Sequence, residues 1–331
     1  MILNNLLDWL PRDEHVLITG HIHPDGDCIG STLALSQLLK AMGYTTSVVL
    51  EERIETYAFL PGFDEIINYI EFEQHKEKLL QSAFSCVVMD SGDISRIEPM
   101  RSIFEKASTT INIDHHASNT LFGMHNIVDV KASSTCELLG IVIGLEQLNS
   151  MFLTKKIATC LYTGIVYDTG VFKHTNTRKE THLVASCLVN MGIDFNFIIH
   201  HLYFRRSKNS VIANKIALEN LEFNDELSAV ITVISNKDLF DNNLVKSDTE
   251  MIVSMLNEIE DTLVSVFFLE VRPQEFKASF RSSSLYNVCE VAKQFEGGGH
   301  IKAAGCTVYG SYSQVKQRVL KELQSEYKRN Y

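Results

Sequence analysis

HIHPDGD, at residues 21–27, sets two histidines and two aspartates within seven residues, beside a proline and a glycine. Carboxylates held this close repel one another unless a cation lies between them. Three more segments of the first half share these residue types: VVMDSGD at 87–93, INIDHHAS at 111–118 and GIVYDTG at 164–170. Carboxylates and imidazoles without a thiolate are hard ligands, better suited to manganese, cobalt or iron than to a closed structural zinc. There are enough of them for two divalent cations. Two such ions ~3.5–4 Å apart can share a bridging carboxylate and a bridging hydroxide, a common device for hydrolysing phosphate esters. The cations would then explain the clustering, and a water bound to them would ionise near neutrality.

Each piece is weak alone. A strand-end aspartate such as Asp90 is more often a turn former than a ligand. His200–His201, in IIHHLYF, has no acidic neighbour and reads as structural. The conjunction gains its weight from where the groups fall. VLITG (16–20), TTSVVL (45–50), FSCVVMD (84–90) and TTINID (109–114) read as strands. Leu35, Leu38, Leu39 and Met42 recur at helical spacing over 28–42, and Gly43 is the stop. Helices are also expected over 134–148, with Ser134 and Glu137 as a capping box, over 154–167 behind Thr154, and over 178–191. Apolar strands alternating with helices predict an α/β fold with a mainly parallel sheet covered on both faces. In such sheets chemistry collects beyond the carboxyl ends of the strands, where His21, Asp90 and Asp114 stand. Pro24 predicts extended backbone for residues 21–23, and Gly26 a tight turn between Asp25 and Asp27. Gly30 and Ser31 then enter the first helix, its positive end towards the acidic cluster.

The length of 331 residues predicts two domains. The expected division is a larger N-terminal domain at 1–190, a helical and locally basic linker at 191–220, and a smaller C-terminal α/β domain at 221–331. The latter contains LSAVITVIS (227–235), a helix from Ser247 to Asn257, LVSVFFLE (263–270), FKASFRSS (276–283), a short helix, GGGHIKAAG (297–305) and a final charged helix. Three successive glycines let backbone N–H groups approach an anion, and IKAAG is expected to open a short helix behind them. A hinge is the blander reading of GGG.

Composition narrows the classes. With 45% hydrophobic and 21% charged residues the chain is an ordinary globular protein. No apolar run reaches the roughly 18 residues of a membrane span. MILNNLLDWLPRDE lacks the basic flank and cleavage site of a secretion signal, so a cytoplasmic location is expected. The seven cysteines are scattered without a CxxC pair and read as buried free thiols. A net charge of −11 disfavours long nucleic acid as a stable partner but leaves room for a small anion in a local pocket. There is no P-loop and no GxGxxG fingerprint.

The four acidic segments resemble the four motifs of the DHH phosphoesterase superfamily, and GGGHIKAAG with the upstream SFRS resembles its DHHA1 substrate-binding domain. The resemblance covers nearly the whole chain. It is greatest to the compact NrnA-like branch, oligoribonucleases (nanoRNases) that also dephosphorylate 3′-phosphoadenosine 5′-phosphate, pAp. It implies one metal site from His21, Asp25 and Asp90, and a second from Asp27, Asp90, His115 and Asp168, with Asp90 bridging. The ions expected are two Mn2+. By the same resemblance His116 orients or protonates an oxygen of the reacting phosphate, and Asp114 fixes a ligand imidazole. His23 is left off the ligand set. Arg281 and His300, with Gly297, Gly298 and Gly299, would grip a terminal phosphate on the substrate's far side, a task that suits a guanidinium. Arg205, Arg206 and Lys208 read as a solvated charge run.

The implied reaction is in-line attack by a bridging hydroxide on phosphorus. It would yield nucleoside 5′-monophosphates from short oligoribonucleotides, or AMP and phosphate from pAp. A homodimer is compatible with the resemblance. The alternatives are a cyclic-dinucleotide or pApA phosphodiesterase using the same metal centre and, outside enzymes, an inactive nucleotide sensor. A family II pyrophosphatase is contradicted by GGGHIKAAG, and a RecJ-type exonuclease needs an additional domain.

Overall fold

Val16-Leu17-Ile18 and Val87-Val88-Met89 are apolar at every position, as strands covered on both faces must be. The computed structural model, which describes residues 2–80, 82–144, 153–283 and 286–330, has the α/β architecture this implies. The chain divides into two units, one ending at Arg205 and one beginning at Arg206.

The first unit runs α1 (Ile2–Trp9), β1 (His15–Gly20), α2 (Gly26–Ala41), β2 (Thr46–Leu50), β3 (Ile66–Asn68), α3 (Tyr69–Leu80), β4 (Phe84–Met89) and α4 (Glu98–Phe104). It continues with β5 (Thr109–Asp114), β6 (His125–Val128), α5 (Thr135–Val142), α6 (Lys155–Asp168), α7 (Lys179–Asn190) and α8 (Phe195–Ile199). Six strands pair in the order β3-β2-β1-β4-β5-β6, every neighbouring pair parallel. Strand order reverses between β1 and β4, so the crevice beyond their carboxyl ends is the topological switch point. Successive residues of each strand serve opposite faces. Val16 and Ile18 pack with Ile29, Leu33 and Ile165 on one side. Leu17 packs with Cys86, Val88 and Met100 on the other.

The second unit runs α9 (Lys208–Glu219), β7 (Glu222–Asn224), β8 (Ala229–Ile234), α10 (Asn236–Asp241), α11 (Ile252–Leu256), β9 (Val264–Arg272), β10 (Glu275–Ser282), α12 (Val288–Lys293), β11 (Gly298–His300), β12 (Ala303–Tyr309) and α13 (Tyr312–Asn330). Among the described residues its six strands are ordered β11-β12-β10-β9-β8-β7, with β8–β9 parallel and the other pairs antiparallel.

Several local expectations need correction. IKAAG opens no helix: Gly298–His300 and Ala303–Tyr309 form an antiparallel hairpin. Half-buried and buried residues alternate along β12, a period of two that overrides the helical preference of Ala303–Ala304. The single helix expected from Ser247 to Asn257 is a 3-10 turn, Lys246–Thr249, followed by the five residues of α11. Asp248 closes that turn by accepting from the Val245 N–H. Of the helix expected over 134–148, α5 covers the first part, and residues 145–148 lie outside the described residues. All seven cysteines are free thiols, six of them buried. Among the described residues no helix is long and apolar enough to cross a membrane.

Candidate metal centre

Asp90 leaves β4 in the left-handed region, φ 57°, which an aspartate tolerates better than a branched side chain. Its carboxylate lies between two imidazoles, with Oδ2 3.5 Å from His21 Nε2 and Oδ1 3.6 Å from His115 Nε2. Each of these histidines turns its other nitrogen to a backbone carbonyl, His21 Nδ1 to Ile22 at 2.8 Å and His115 Nδ1 to Ala132 at 3.2 Å. Those contacts assign the proton to Nδ1 in the neutral ring and leave Nε2 free as a ligand atom.

Around His21 and Asp90 stands Asp25, with Oδ1 3.8 Å from His21 Nε2. Around His115 stand Asp168, at 3.2 Å, and Asp27. The structure thus brings together His21, Asp25 and Asp90 as one trio of donors and Asp27, His115 and Asp168 as a second, with Asp90 reaching the histidine of each. Hard oxygen and nitrogen donors in this number fit divalent cations. A further trio, His23, Glu51 and Glu52, is solvent-facing, as surface acids commonly are without an ion.

The loop between β1 and α2 differs from expectation. Gly26 forms no turn between the two aspartates; it is the first residue of α2, and Asp25 is its N-cap, accepting from the N–H groups of Asp27 and Cys28 at 3.0 and 3.1 Å. Glycine is required there because a Cβ would stand 2.7 Å from Tyr167 Cβ. His23, before Pro24, is left-handed at φ 55° instead of extended, and its N–H is held by Glu51.

Asp27 is fully buried, yet α5 supplies donors for it: the N–H of Thr135 meets Oδ2 at 2.6 Å and that of Cys136 meets Oδ1 at 2.9 Å. These are unsatisfied first-turn amides, at the positive end of the helix. The Thr135 hydroxyl donates to Asp90 Oδ1 at 2.9 Å. Ser134 caps α5 as the capping box requires, accepting from Glu137 N–H at 2.9 Å. The Glu137 carboxylate, however, accepts from the N–H and hydroxyl of Ser133 and from Thr181, and takes Arg178 as its ion partner. The ion pair between buried Glu137 and half-buried Arg178 therefore helps to set the position of the α5 terminus. Sequence reasoning missed Thr135, Cys136, Arg178 and Asp129, which Arg178 also contacts at 3.0 Å. SSTCE, a helix start beside acidic motifs, was the available signal.

Asp114 also acts differently from expectation. The imidazole it holds is that of His116, with Nδ1 at 2.7 Å, whereas the ring of His115 is set by Ala132. Asn119 donates to the other Asp114 oxygen at 2.6 Å. His116 is half-exposed and lies 3.8 Å from Asp90. Arg96, which had no motif to mark it, brings a guanidinium nitrogen within 3.2 Å of His21 Nδ1.

Without a cation the cluster takes up protons. Burial opposes charging His21 and His115, but hydrogen bonds and charge from Asp25 and Asp90 in the first case, and from Asp168, Asp27 and Asp90 in the second, raise both to about 10. Burial and the neighbouring carboxylates push Asp27 upward and Asp168 to about 6. Burial works against Asp90 as well, and the surrounding imidazoles still hold it down at about 2.

α6 must approach this cluster closely. A Cβ on Gly164 would stand 2.6 Å from Asp27 Oδ1 and would also press on Cys136 Sγ. Gly164→Ala is expected to lower stability by about 1–3 kcal/mol. It should also cut cation affinity by about 10–100-fold through displacement of Asp27, to be measured by thermal melting with and without Mn2+. An unchanged melt and affinity would contradict the packing described.

In the second unit, strand alternation places Lys277, Ser279 and Arg281 outward while Phe276, Ala278 and Phe280 are buried. Arg281 and His300 both stand in register with Ala303, one on each side. Gly299, at φ 142°, has no room for a side chain against Ala304, whereas above Gly298 the space is open. Gly297 closes on Cys306. Arg205, Arg206 and Lys208 are exposed. His201 packs on Phe197 and Phe59 and reaches the Thr56 carbonyl, a structural role.

Comparison with known proteins agrees with this architecture. Residues 15–165 match the DHH family N-terminal domain and residues 227–329 the DHHA1 domain. A Thermus thermophilus protein named bifunctional oligoribonuclease and PAP phosphatase NrnA is 31% identical, over 94% of this chain and 90% of that one. Its namesake from Bacillus subtilis is 26% identical over 94% of each. A crystal structure of an exopolyphosphatase-related protein from Bacteroides fragilis superposes with a TM-score of 0.89 at 26% identity, covering 99% of this chain and 96% of that one. A two-unit fold and a carboxylate–histidine crevice at the switch point, joined to these matches along nearly the whole length, lead to one assignment: the chain belongs to the DHH–DHHA1 phosphoesterases, on the branch of the NrnA proteins.

Proposed function

We propose that this chain is a divalent-metal-dependent phosphoesterase that hydrolyses short oligoribonucleotides to nucleoside 5′-monophosphates and pAp to AMP and phosphate. The observation that carries the proposal is Asp90, one carboxylate reaching the histidines of two donor trios. His21, Asp25 and Asp90 would hold one cation, and Asp27, Asp90, His115 and Asp168 the other; Mn2+ is the ion proposed, carboxylates being among the donors that suit it. Two bound cations supply Lewis-acid charge and a water ionised near neutral pH.

The chain's own residues do the rest. The α5 amides fix Asp27, and Thr135 fixes Asp90, so neither carboxylate need reorganise during the reaction. Asp114 accepts from Nδ1 of His116 and raises its pKa, against burial, which favours the doubly protonated ring. In that form His116 can protonate the leaving oxygen or hold a phosphate oxygen. Arg281 and His300, with Gly297, Gly298 and Gly299, are assigned to a terminal phosphate away from the reacting one. Acidic overall charge favours short pieces over long strands.

Cation uptake should release protons. With His21 and His115 raised to about 10 in the cation-free chain, both are charged at neutral pH and must become neutral to bind. The bound state carries fewer protons, so Mn2+ affinity is expected to rise with pH, by about tenfold per unit per imidazole displaced, between pH 6 and 8. Calorimetry in buffers of different ionisation heat checks this; affinity flat with pH would contradict it. The function itself is tested on a Mn2+-supplemented panel of pAp, di- to pentaribonucleotides, pApA, cyclic dinucleotides and pyrophosphate. Turnover of pAp and the short oligomers above the others is expected. Preference for pyrophosphate or a cyclic dinucleotide would overturn the substrate assignment.

A further inference from the structure

Residues 132–136 hold three of the four side chains assigned to the second cation. The Ala132 carbonyl takes His115 Nδ1, the Thr135 and Cys136 amides take Asp27, and the Thr135 hydroxyl takes Asp90. Asp168, the fourth, stands on a different element, as the last residue of α6. Its carboxylate reaches His115 at 3.2 Å. The end of α6 must therefore be kept in place against residues 132–136, or this donor drifts from the other three.

The loop that leaves α6 supplies the connection. Thr169 caps the helix, its hydroxyl donating to the Ile165 carbonyl at 2.6 Å and accepting from the Phe172 N–H at 3.0 Å. Gly170, Val171 and Phe172 follow in the left-handed region, at φ 53°, 60° and 62°. A branched valine and a phenylalanine adopt that conformation only where surrounding contacts impose it. Phe172 is stacked on His182, ring centroids 5.2 Å apart. The reversal returns His174 and Asn176 to the end of α6. His174 Nδ1 lies 3.0 Å from the Asp168 carbonyl, and its ring covers Gly170 so closely that a Cβ there would stand 2.5 Å from Nε2. The Asn176 amide donates to two carbonyls, that of Ser133 at 2.9 Å and that of Asp168 at 3.3 Å. The Asp168 carbonyl is one of the last in α6, which no helical N–H reaches. Two acceptors fix the orientation of the amide, since only its nitrogen can donate.

We propose that Asn176 is a positioning residue for the second cation: its amide clasps the end of α6 to residues 132–136, so that Asp168 stands with Asp27, Asp90 and His115, and the left-handed turn carries it there. The first cation, among His21, Asp25 and Asp90, takes no donor from α6 and does not depend on the clasp. The proposal rests on the metal-centre reading above and deepens it, by naming the group that joins the two segments on which the second site is built. Partners of this kind tune affinity without touching the ion.

The test titrates the full-length, metal-free chain with Mn2+, read by calorimetry and by EPR, beside Asn176→Ala and Asn176→Asp. In Asn176→Ala the affinity for one cation is expected to fall about 10–100-fold, with the other unchanged. At a loading that gives the unaltered chain the spectrum of a coupled Mn2+ pair, the variant should show that of an isolated ion. Asn176→Asp keeps the size of the side chain and adds negative charge, but sets a carboxylate against two carbonyls. It is expected to lose the second cation as Asn176→Ala does. Asn176 is exposed, so thermal melting of the cation-free chain should be the same in all three. Undiminished affinity in Asn176→Ala would overturn the clasp, as would Asn176→Asp binding the second cation as tightly as the unaltered chain. A lowered melt with both cations weakened alike would make the amide a general support of the fold and would overturn it too. If the unaltered chain bound two cations and Asn176→Ala one, yet the unaltered chain hydrolysed neither pAp nor short oligoribonucleotides, the proposed function would fail and the clasp would stand.

Discussion

Asp90→Asn is expected to lower kcat/KM on both pAp and a pentaribonucleotide by about three orders of magnitude or more, while leaving the fold intact. The side chain keeps its shape, so Thr135 can still donate to its oxygen. What it loses is the charge that lies 3.5 Å from His21 and 3.6 Å from His115. An amide cannot bridge two cations, so Mn2+ content should fall to one per chain or fewer. Because pAp and the oligomer share the reacting centre, both should fall together, and kcat should carry most of the loss. A variant that kept its activity would remove Asp90 from the chemistry. One that lost only oligomer turnover would move it to substrate binding.

Glu137→Ala is the largest expected effect on stability. Glu137 is fully buried and accepts from Ser133, Thr181 and Arg178. Its removal leaves the half-buried Arg178 guanidinium to Asp129 and Glu180 and takes the acceptor from the buried hydroxyls of Ser133 and Thr181. A loss of about 2–4 kcal/mol is expected, from buried donors left without their acceptor. The consequence reaches the metal centre, since Glu137 sits in the same first turn of α5 as the amides on Asp27. Below its melting temperature the variant should therefore also lose cation affinity, by about 10–100-fold. Denaturant unfolding with and without Mn2+ measures both. Loss of stability with cation affinity unchanged would mean that α5 holds Asp27 without help from the pair.

Much of this was legible in the chain because the chemistry sits on strand ends. Asp90 and Asp114 close apolar runs that could only be buried strands, and His21 follows a third. The parallel sheet and the acidic cluster at the carboxyl ends of its strands could thus be placed together. What could not be read were contacts that depend on backbone geometry across distant segments. Gly26 and Gly164 are glycines because α2 and α6 approach too closely for a side chain, a fact invisible in a local window. The left-handed His23 is set by Glu51, 28 residues away. In the second unit, GGGHIKAAG misled through composition: small residues suggest a helix, but cross-strand pairing with β10 decides for a hairpin. β3 and β6, of three and four residues, are too short to show any period.

Crystals of the chain grown with Mn2+ and measured at the manganese absorption edge give the most direct test of the shared-carboxylate centre. Two anomalous peaks are predicted, one among His21, Asp25 and Asp90 and one among Asp27, His115 and Asp168, with Asp90 touching both. A single peak, or peaks held by residues outside this set, would contradict the account.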